Sequence, residues 1–177
     1  MANVFRSGKM ISDQIDSYLT NAINADKEML DGALVKLGDL VEDNTYAEGG
    51  VEYDTYKAED AKDGEEVAIV DYAGVSEGEI AGNKYKMGIK LYDLKVLPGQ
   101  ITRIRRLALH DKFWLGESNF TEAPAVGKYA KVGTEGKHLP AAEKPASGYA
   151  VKILVSEELT AGMKSEGNLY LCEVVSL

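Results

Sequence analysis

Histidine and cysteine supply most general bases, nucleophiles and metal ligands in proteins, and this chain has only two histidines and one cysteine. His110 and His138 lie far apart, and neither belongs to a His-Glu-x-x-His motif. Cys172 stands inside the apolar run from Leu169 to Val175, which favours a buried, inert thiol. These residues predict neither a metal site nor a catalytic nucleophile.

Carboxylates are the other candidates for chemistry. Glu65-Glu66 and Glu157-Glu158 are sequence neighbours, so on a strand their side chains point to opposite faces and form no acid/base pair. The acidic stretch from Asp60 to Glu66 surrounds a glycine, but it contains Lys62, and Val70 stands where a calcium loop needs its glutamate. A phosphate-binding loop is also missing. We therefore predict no catalytic residue, no cofactor and no enzymatic activity.

Charge and composition restrict the classes of partner that the chain is expected to bind. The chain has 177 residues, a formal net charge of −9 and a hydrophobic fraction of 45%, values that fit one folded domain with an acidic surface. An acidic protein lacks the clustered cations that release counterions from a phosphate backbone, so nucleic acid is not expected as a partner. The apolar runs are strand-sized, which predicts no membrane segment, and the N-terminus lacks a secretory signal, which predicts synthesis in a cytoplasm.

Residues 1–31 differ from the rest of the chain. Ile11, Ile15, Tyr18 and Leu19 stand at helical spacings, and Asp31-Gly32 is a strong stop signal. We predict an N-terminal arm or short helix over residues 1–31, followed by a second region over residues 32–177.

Residues 32–177 have the texture of a β-domain, with glycine and aspartate between short runs of valine, isoleucine, tyrosine and leucine. The acidic stretch Asp43–Gly64 is expected to be a solvated excursion, and broken alternation at Ile104 and Arg105 suggests a bulge or a helix-like register. The last strand is apolar on both faces and is placed centrally. The fold class is mainly β, either a single β-barrel or a β-sandwich. The candidate strands are Ala33–Leu37, Val67–Asp71, Lys84–Leu91, Ile101–Leu107, Tyr129–Val132, Tyr149–Val155 and Leu169–Val175.

The most concentrated cluster of basic and aromatic residues runs from Arg103 through Arg105 and Arg106 to Phe113 and Trp114. Arginine and tryptophan are enriched where protein surfaces meet, so the cluster is a candidate interface. Alternatively, the aromatic residues belong to the core and the arginines pair with local carboxylates. The sequence leaves both interpretations open.

Several stretches resemble the virion proteins of tailed phages, and among these capsid decoration (cement) proteins are the most similar group. The resemblance is one of short strands, glycine turns and Pro/Ala-rich connections. It covers most of the chain from residue 31 onward, in the stretches Asp31–Leu40, Val51–Ala58, Asp111–Phe120, Ala125–Ala130, Pro140–Ala142, Gly148–Ile153 and Leu169–Val175.

This resemblance implies a non-enzymatic protein on the capsid surface of a virion. Its partners would be the major capsid protein and copies of itself, either as a homo-oligomer, with a trimer favoured, or as a monomer seated between capsid subunits. The N-terminal arm would contribute anchors. Candidate interface residues are Phe5, Ile11, Ile15 and Tyr18 in the arm, and Arg103, Arg105, Arg106 and Trp114 in the cluster.

Other functions remain open. The chain could be another virion component, such as a small major coat subunit, a head-fibre base or a tail component. From a different class, a β-domain that binds a small ligand or an unrecognised enzyme is possible, because barrels hold pockets that have no sequence signature.

Overall fold

The computed structural model describes residues 4–41, 55–72, 95–161 and 164–177. The fold is mainly β, as the sequence predicts. One-turn 3₁₀ helices cover Ile11–Asp13, Asp16–Tyr18 and Glu117–Asn119. The strands in the described ranges are β1 Phe5–Lys9, β2 Leu19–Ile23, β3 Met29–Leu30, β4 Leu34–Leu40, β5 Thr55–Asp60, β6 Ala68–Asp71, β7 Lys95–Val96, β8 Ile101–Arg106, β9 Lys112–Gly116, β10 Tyr129–Val132, β11 His138–Ala141, β12 Ala150–Ala161 and β13 Lys164–Ser176.

Five strands form a closed barrel in the order β2-β5-β4-β6-β8, with β8 pairing back onto β2. The β2–β5 pair is parallel, and the other pairs are antiparallel. A barrel of so few strands is narrow, so its interior is filled by side chains of small and medium size. They include Ala22, Val35, Ala58, Val70 and Ile104.

The second sheet has six strands in the order β1-β9-β13-β12-β10-β11. The last strand, β13, lies between β9 and β12, which confirms its expected central position. One face of this sheet, here called the inner face, buries Phe113, Val151, Ile153 and Cys172 in a core shared with the barrel wall. A small pair, β3 with β7, completes the sheets.

Strands β4 and β6 belong to the barrel but are buried on both sides. Because side chains alternate along a strand, Leu34 and Ile69 pack with the inner face of the six-stranded sheet, whereas Val35 and Val70 fill the barrel. These two strands therefore join the two cores into one packed unit.

Residues 4–31 form strands in all three sheets, together with two one-turn 3₁₀ helices in place of the longer helix suggested by Ile11, Ile15 and Tyr18. The backbone amides of Leu19–Ile23 pair with β8 and β5 instead of continuing a helix. The apolar residues do stand at helical spacings, but pairing with the barrel strands stabilises this segment more than a short, weakly patterned helix would.

Two further expectations differ from the structure, and one lies outside the described residues. Thr55–Asp60, within the predicted excursion, is the barrel strand β5, whose Thr55 and Ala58 are buried. Strand β8 has a regular register with both neighbours, so the expected bulge at Ile104 and Arg105 is wrong. The alternation looked broken because Arg105 is a buried charge on the outside of the barrel. The predicted strand Lys84–Leu91 lies outside the described residues.

Candidate protein-binding surfaces

A buried arginine fastens the first residues of the chain to the barrel. Arg105 is 6% exposed. Its Nε lies 2.5 Å from Asp71 Oδ2, and its Nη1 lies 2.7 Å from Asp13 Oδ1 and donates a hydrogen bond of 3.1 Å to Ser12 Oγ. Charged groups out of water are stable only when paired and hydrogen-bonded, so this geometry holds Ser12 and Asp13 in one position.

A second buried carboxylate holds the same segment from the other side. Asp111 Oδ1 accepts the backbone N–H of Ile11 at 2.8 Å, and Oδ2 accepts that of Ala108 at 2.8 Å. Residues 11–18, here called the turn segment, are thus bound to both the barrel and the turn before β9. Sequence reasoning named Arg105 and Ile11 but missed Asp71, which pairs with Arg105, and Asp111, which holds Ile11, because nothing in their spacing marks these carboxylates as partners.

The turn segment exposes apolar side chains although its backbone is fixed. Ile11 is 36% exposed and Ile15 is 41% exposed, while Tyr18 is half-buried. The N–H of Ile15 donates to the carbonyl of Ile11 at 3.0 Å, which keeps the two residues on one turn. Ile11 and Ile15 are therefore accessible. Phe5 is not, since it packs against Phe113 in the core with ring centroids 5.7 Å apart.

A buried carboxylate next to this region joins β1 to the barrel. Asp31 accepts the backbone N–H groups of Phe5 at 2.8 Å and of Tyr72 at 2.9 Å. Burial raises the pKa of Asp31 to about 7, with a further increase from Asp71, while the two N–H donors and Arg103 act in the opposite direction. The start of β1 and the end of β6 thus depend on a single side chain that the sequence suggested only as a turn signal.

The structure pairs all three clustered arginines within the chain. Arg103 Nη2 lies 2.6 Å from Asp71 Oδ2, and Arg106 Nη1 lies 2.9 Å from the exposed Glu66. Arg105 shares the Asp71 carboxylate with Arg103. This arrangement corresponds to the second interpretation of the cluster, in which the arginines neutralise local carboxylates.

Trp114 lies apart from the arginines, on the side of the six-stranded sheet that faces away from the barrel, here called the outer face. There it is half-buried and packs with Val4, Leu169 and Leu159. In the cross-strand register Trp114 is opposite Leu171, and Leu171 is opposite Val155, which is 42% exposed. Trp114 is thus the centre of an apolar row on an accessible sheet face.

Both edges of the six-stranded sheet are poor places for another strand to pair. β1 has a register shift between Ser7 and Lys9 and presents the charged side chains of Arg6 and Lys9. β11 contains Pro140, which has no N–H to donate. Bulges, charges and proline are the usual means of blocking edge-to-edge pairing, so contacts with partners are expected at faces.

Strands β12 and β13 extend beyond their neighbours. β10 pairs with β12 only over residues 150–152, and β9 pairs with β13 only over residues 169–173. Ile153 also exchanges backbone hydrogen bonds with Gly127 and Lys128. Past Ile153 and Leu169, within the described ranges, the two strands pair with each other up to Ala161 and Lys164. A two-stranded ribbon has little stability of its own, so this part of the sheet gains from a surface to pack against.

The groups with the largest pKa shifts in the cores are buried beyond the reach of solvent. Burial lowers the pKa of His138 to about 3, and its Nε2 has no hydrogen-bond partner in the described part of the chain. Burial also raises the pKa of the Cys172 thiol. Over the described ranges, no group of three His, Cys, Asp or Glu side chains is arranged to hold a metal ion.

A cleft of about 620 Å³ lies between the barrel and the start of β12, lined by Glu65, Arg106, Tyr149 and Leu177 among others. The hydrogen bond from Lys36 lowers the pKa of Glu65, as in an ordinary surface ion pair. Arg106 is paired with Glu66. The charged side chains that line this cleft, Glu65, Glu66 and Arg106, are thus each engaged in an ion pair.

No protein-family model, curated protein or solved structure matches this chain. Among the described residues, no helix is long and apolar enough to cross a membrane.

Proposed function

We propose that this chain is a non-enzymatic virion structural protein that binds the outer surface of a phage capsid and stabilises it, as a decoration or cement protein does. The proposal is supported by the resemblance of its sequence to such proteins. The observation that carries it is the turn segment, where Ile11 and Ile15 are exposed on a backbone fixed by Arg105 and Asp111.

Rigid presentation of apolar side chains favours binding. Burying an isoleucine contributes about 1.5–3 kcal/mol, and a segment that is already ordered loses little conformational entropy when it docks. A capsid repeats the same contact at every equivalent position, so a modest energy per copy adds up over the shell. Under this proposal, the turn segment is the part of the chain that binds the major capsid protein.

Other virion positions use the same kind of contact. A small major coat subunit, a head-fibre base and a tail component remain alternatives, and they differ from a cement protein in copy number. A ligand-binding β-domain or an enzyme would instead need a site with free polar groups, and at the Glu65–Tyr149 cleft the charged side chains are engaged in ion pairs.

The test uses particles assembled with and without the protein. We expect quantitative mass spectrometry of purified particles to find the chain in hundreds of copies, and particles that lack it to release their genome at lower temperature. The double variant Ile11→Ser/Ile15→Ser should fold normally but fail to join the particles. The matched control is Leu139→Ser, since Leu139 is 36% exposed, like Ile11, and lies on β11, at the opposite edge of the six-stranded sheet from β1.

Two outcomes would contradict the proposal. Particles without the protein would be as stable to heat and osmotic shock as complete ones, or the isoleucine variant would be incorporated at the level of the control. A few copies per particle would favour the fibre or tail alternative.

A further inference from the structure

On the outer face, side chains from four neighbouring strands stand opposite one another in one continuous row. Arg6 is opposite Trp114, Trp114 is opposite Leu171, and Leu171 is opposite Val155. Trp114 and Leu171 are half-buried, and Val155 is exposed. Exposed apolar rows with an adjacent tryptophan and arginine are typical of the centres of protein interfaces.

Two opposite charges stand on β12 on either side of this row. Along β13 the outer residues Glu173, Leu171 and Leu169 follow one another, and opposite them stand Lys152, Val155 and Glu157. Neither Lys152 nor Glu157 has an ion-pair partner among the described residues. One end of the patch has Lys152 and the Lys112–Glu173 pair, which leaves a net positive charge, the middle is apolar, and the other end has Glu157.

We infer that a second copy of this chain packs on the outer face, about a two-fold axis that runs along the Arg6–Val155 row. Such a rotation reverses the strand direction but keeps the order of strands across the sheet. Trp114, Leu171 and Val155 then meet their own equivalents. Lys152 of each copy faces Glu157 of the other, which forms two identical ion pairs.

The charges identify the occupant as a second copy rather than an unrelated protein, because the two ends of one patch complement each other. The blocked edges of the sheet leave face-to-face packing, at about 10 Å between sheets, as the available geometry. Face-to-face packing also gives the part of β12 and β13 that extends beyond its neighbours a surface to pack against.

The size of the patch sets the expected affinity. β12 has 12 residues and spans about 40 Å, so the ribbon with β9 offers roughly 600 Å² per copy, below the ~800 Å² of a standard interface. We therefore expect a dimer that dissociates on dilution through the micromolar range.

The test is sedimentation velocity of the purified full chain over a concentration series, with Val155→Asp as the disrupting variant. Because Val155 contributes from both copies, the dissociation constant should rise at least about tenfold. Leu97→Asp is the matched control: Leu97 is 41% exposed and follows β7, outside the six-stranded sheet, and its variant should dimerise like the wild type.

Charge reversal tests the two-fold axis itself. Lys152→Glu or Glu157→Lys alone places like charges opposite each other twice and should weaken the dimer about fivefold or more. The double variant Lys152→Glu/Glu157→Lys should bring the dissociation constant back to within about threefold of the wild type. Thermal unfolding of each variant separates loss of association from loss of folding.

The inference is wrong if the wild type is monomeric throughout the series, if Val155→Asp has no more effect than Leu97→Asp, or if the double variant stays as weak as the single ones. It does not rest on the proposed function. A capsid anchor at the turn segment could fail in the particle assay while the dimer persists, and the reverse is equally measurable.

Discussion

Replacing Asp31 with asparagine should change how the stability of the fold depends on pH. Asp31 is buried and accepts two backbone N–H groups, one from the start of β1 and one from the end of β6. Asparagine has the same shape, but it has only one acceptor oxygen, and its amide would face one of the two donors. The substitution therefore removes both a titrating group and a hydrogen bond.

The magnitude follows from the shift in pKa. Burial raises the pKa of Asp31 from 3.8 to about 7, so the folded state holds its proton more tightly than the unfolded chain does. The associated stability is fully present below pH 4 and is lost as the pH rises towards 7. A rise of this size corresponds to about 4 kcal/mol.

The assay is urea unfolding of the wild type and Asp31→Asn at several pH values from 4 to 8. The difference in free energy of unfolding between the two proteins should decrease by about 4 kcal/mol from the acid to the alkaline end. If the difference is constant, or grows as the pH rises, the two N–H donors and Arg103 outweigh burial, and the reasoning about this carboxylate is wrong. The same experiment thus reports the sign as well as the size.

Two further predictions concern other buried polar groups. Arg105→Met removes one ion-pair partner of the Asp71 carboxylate and should lower the free energy of unfolding by about 3–5 kcal/mol. Arg106→Met breaks an exposed pair with Glu66 and should lower it by less than about 1 kcal/mol. Equal losses of the two variants in urea unfolding would refute the distinction. His138→Phe should resist acid better than the wild type, because burial holds the pKa of His138 at about 3 and stability is lost as the pH falls below 6.5. The expected gain at pH 4 is about 3 kcal/mol, and acid unfolding curves that coincide would contradict it.

The local sequence pattern was sufficient to predict a strand where apolar and polar residues alternate or where the residues are apolar throughout. Tyr129–Val132 was predicted with its observed bounds, and the last strand was placed correctly at the centre of its sheet. Two of the strands that the sequence did not indicate, β1 and β11, lie at the two edges of the six-stranded sheet. β1, with one buried residue, and β11, which contains Pro140, have little apolar character of their own and are ordered by their neighbours.

The candidate sites show the same limit. Trp114 and the arginines are conspicuous in an acidic chain, so composition alone singled them out. The roles of the arginines depend on which carboxylates pack against them. Asp71 is distant from Arg105 in sequence, yet the two side chains are in contact. Ile11 and Ile15 were chosen for helical spacing, yet their exposure comes from a one-turn 3₁₀ helix held by Asp111.

The attachment of the N-terminal segment also sets the order of events during synthesis. Phe5 pairs with Leu115, and Ile11 is held by Asp111, so β1 cannot pair with β9, its neighbouring strand in the described part of the sheet, until more than half of the chain exists. At a translation rate of about 5–20 residues per second, β1 and the turn segment wait roughly 5–20 s for their neighbours. Exposed apolar residues that will later fix the fold are thus available to chaperones, or to copies on the same polysome, throughout that interval.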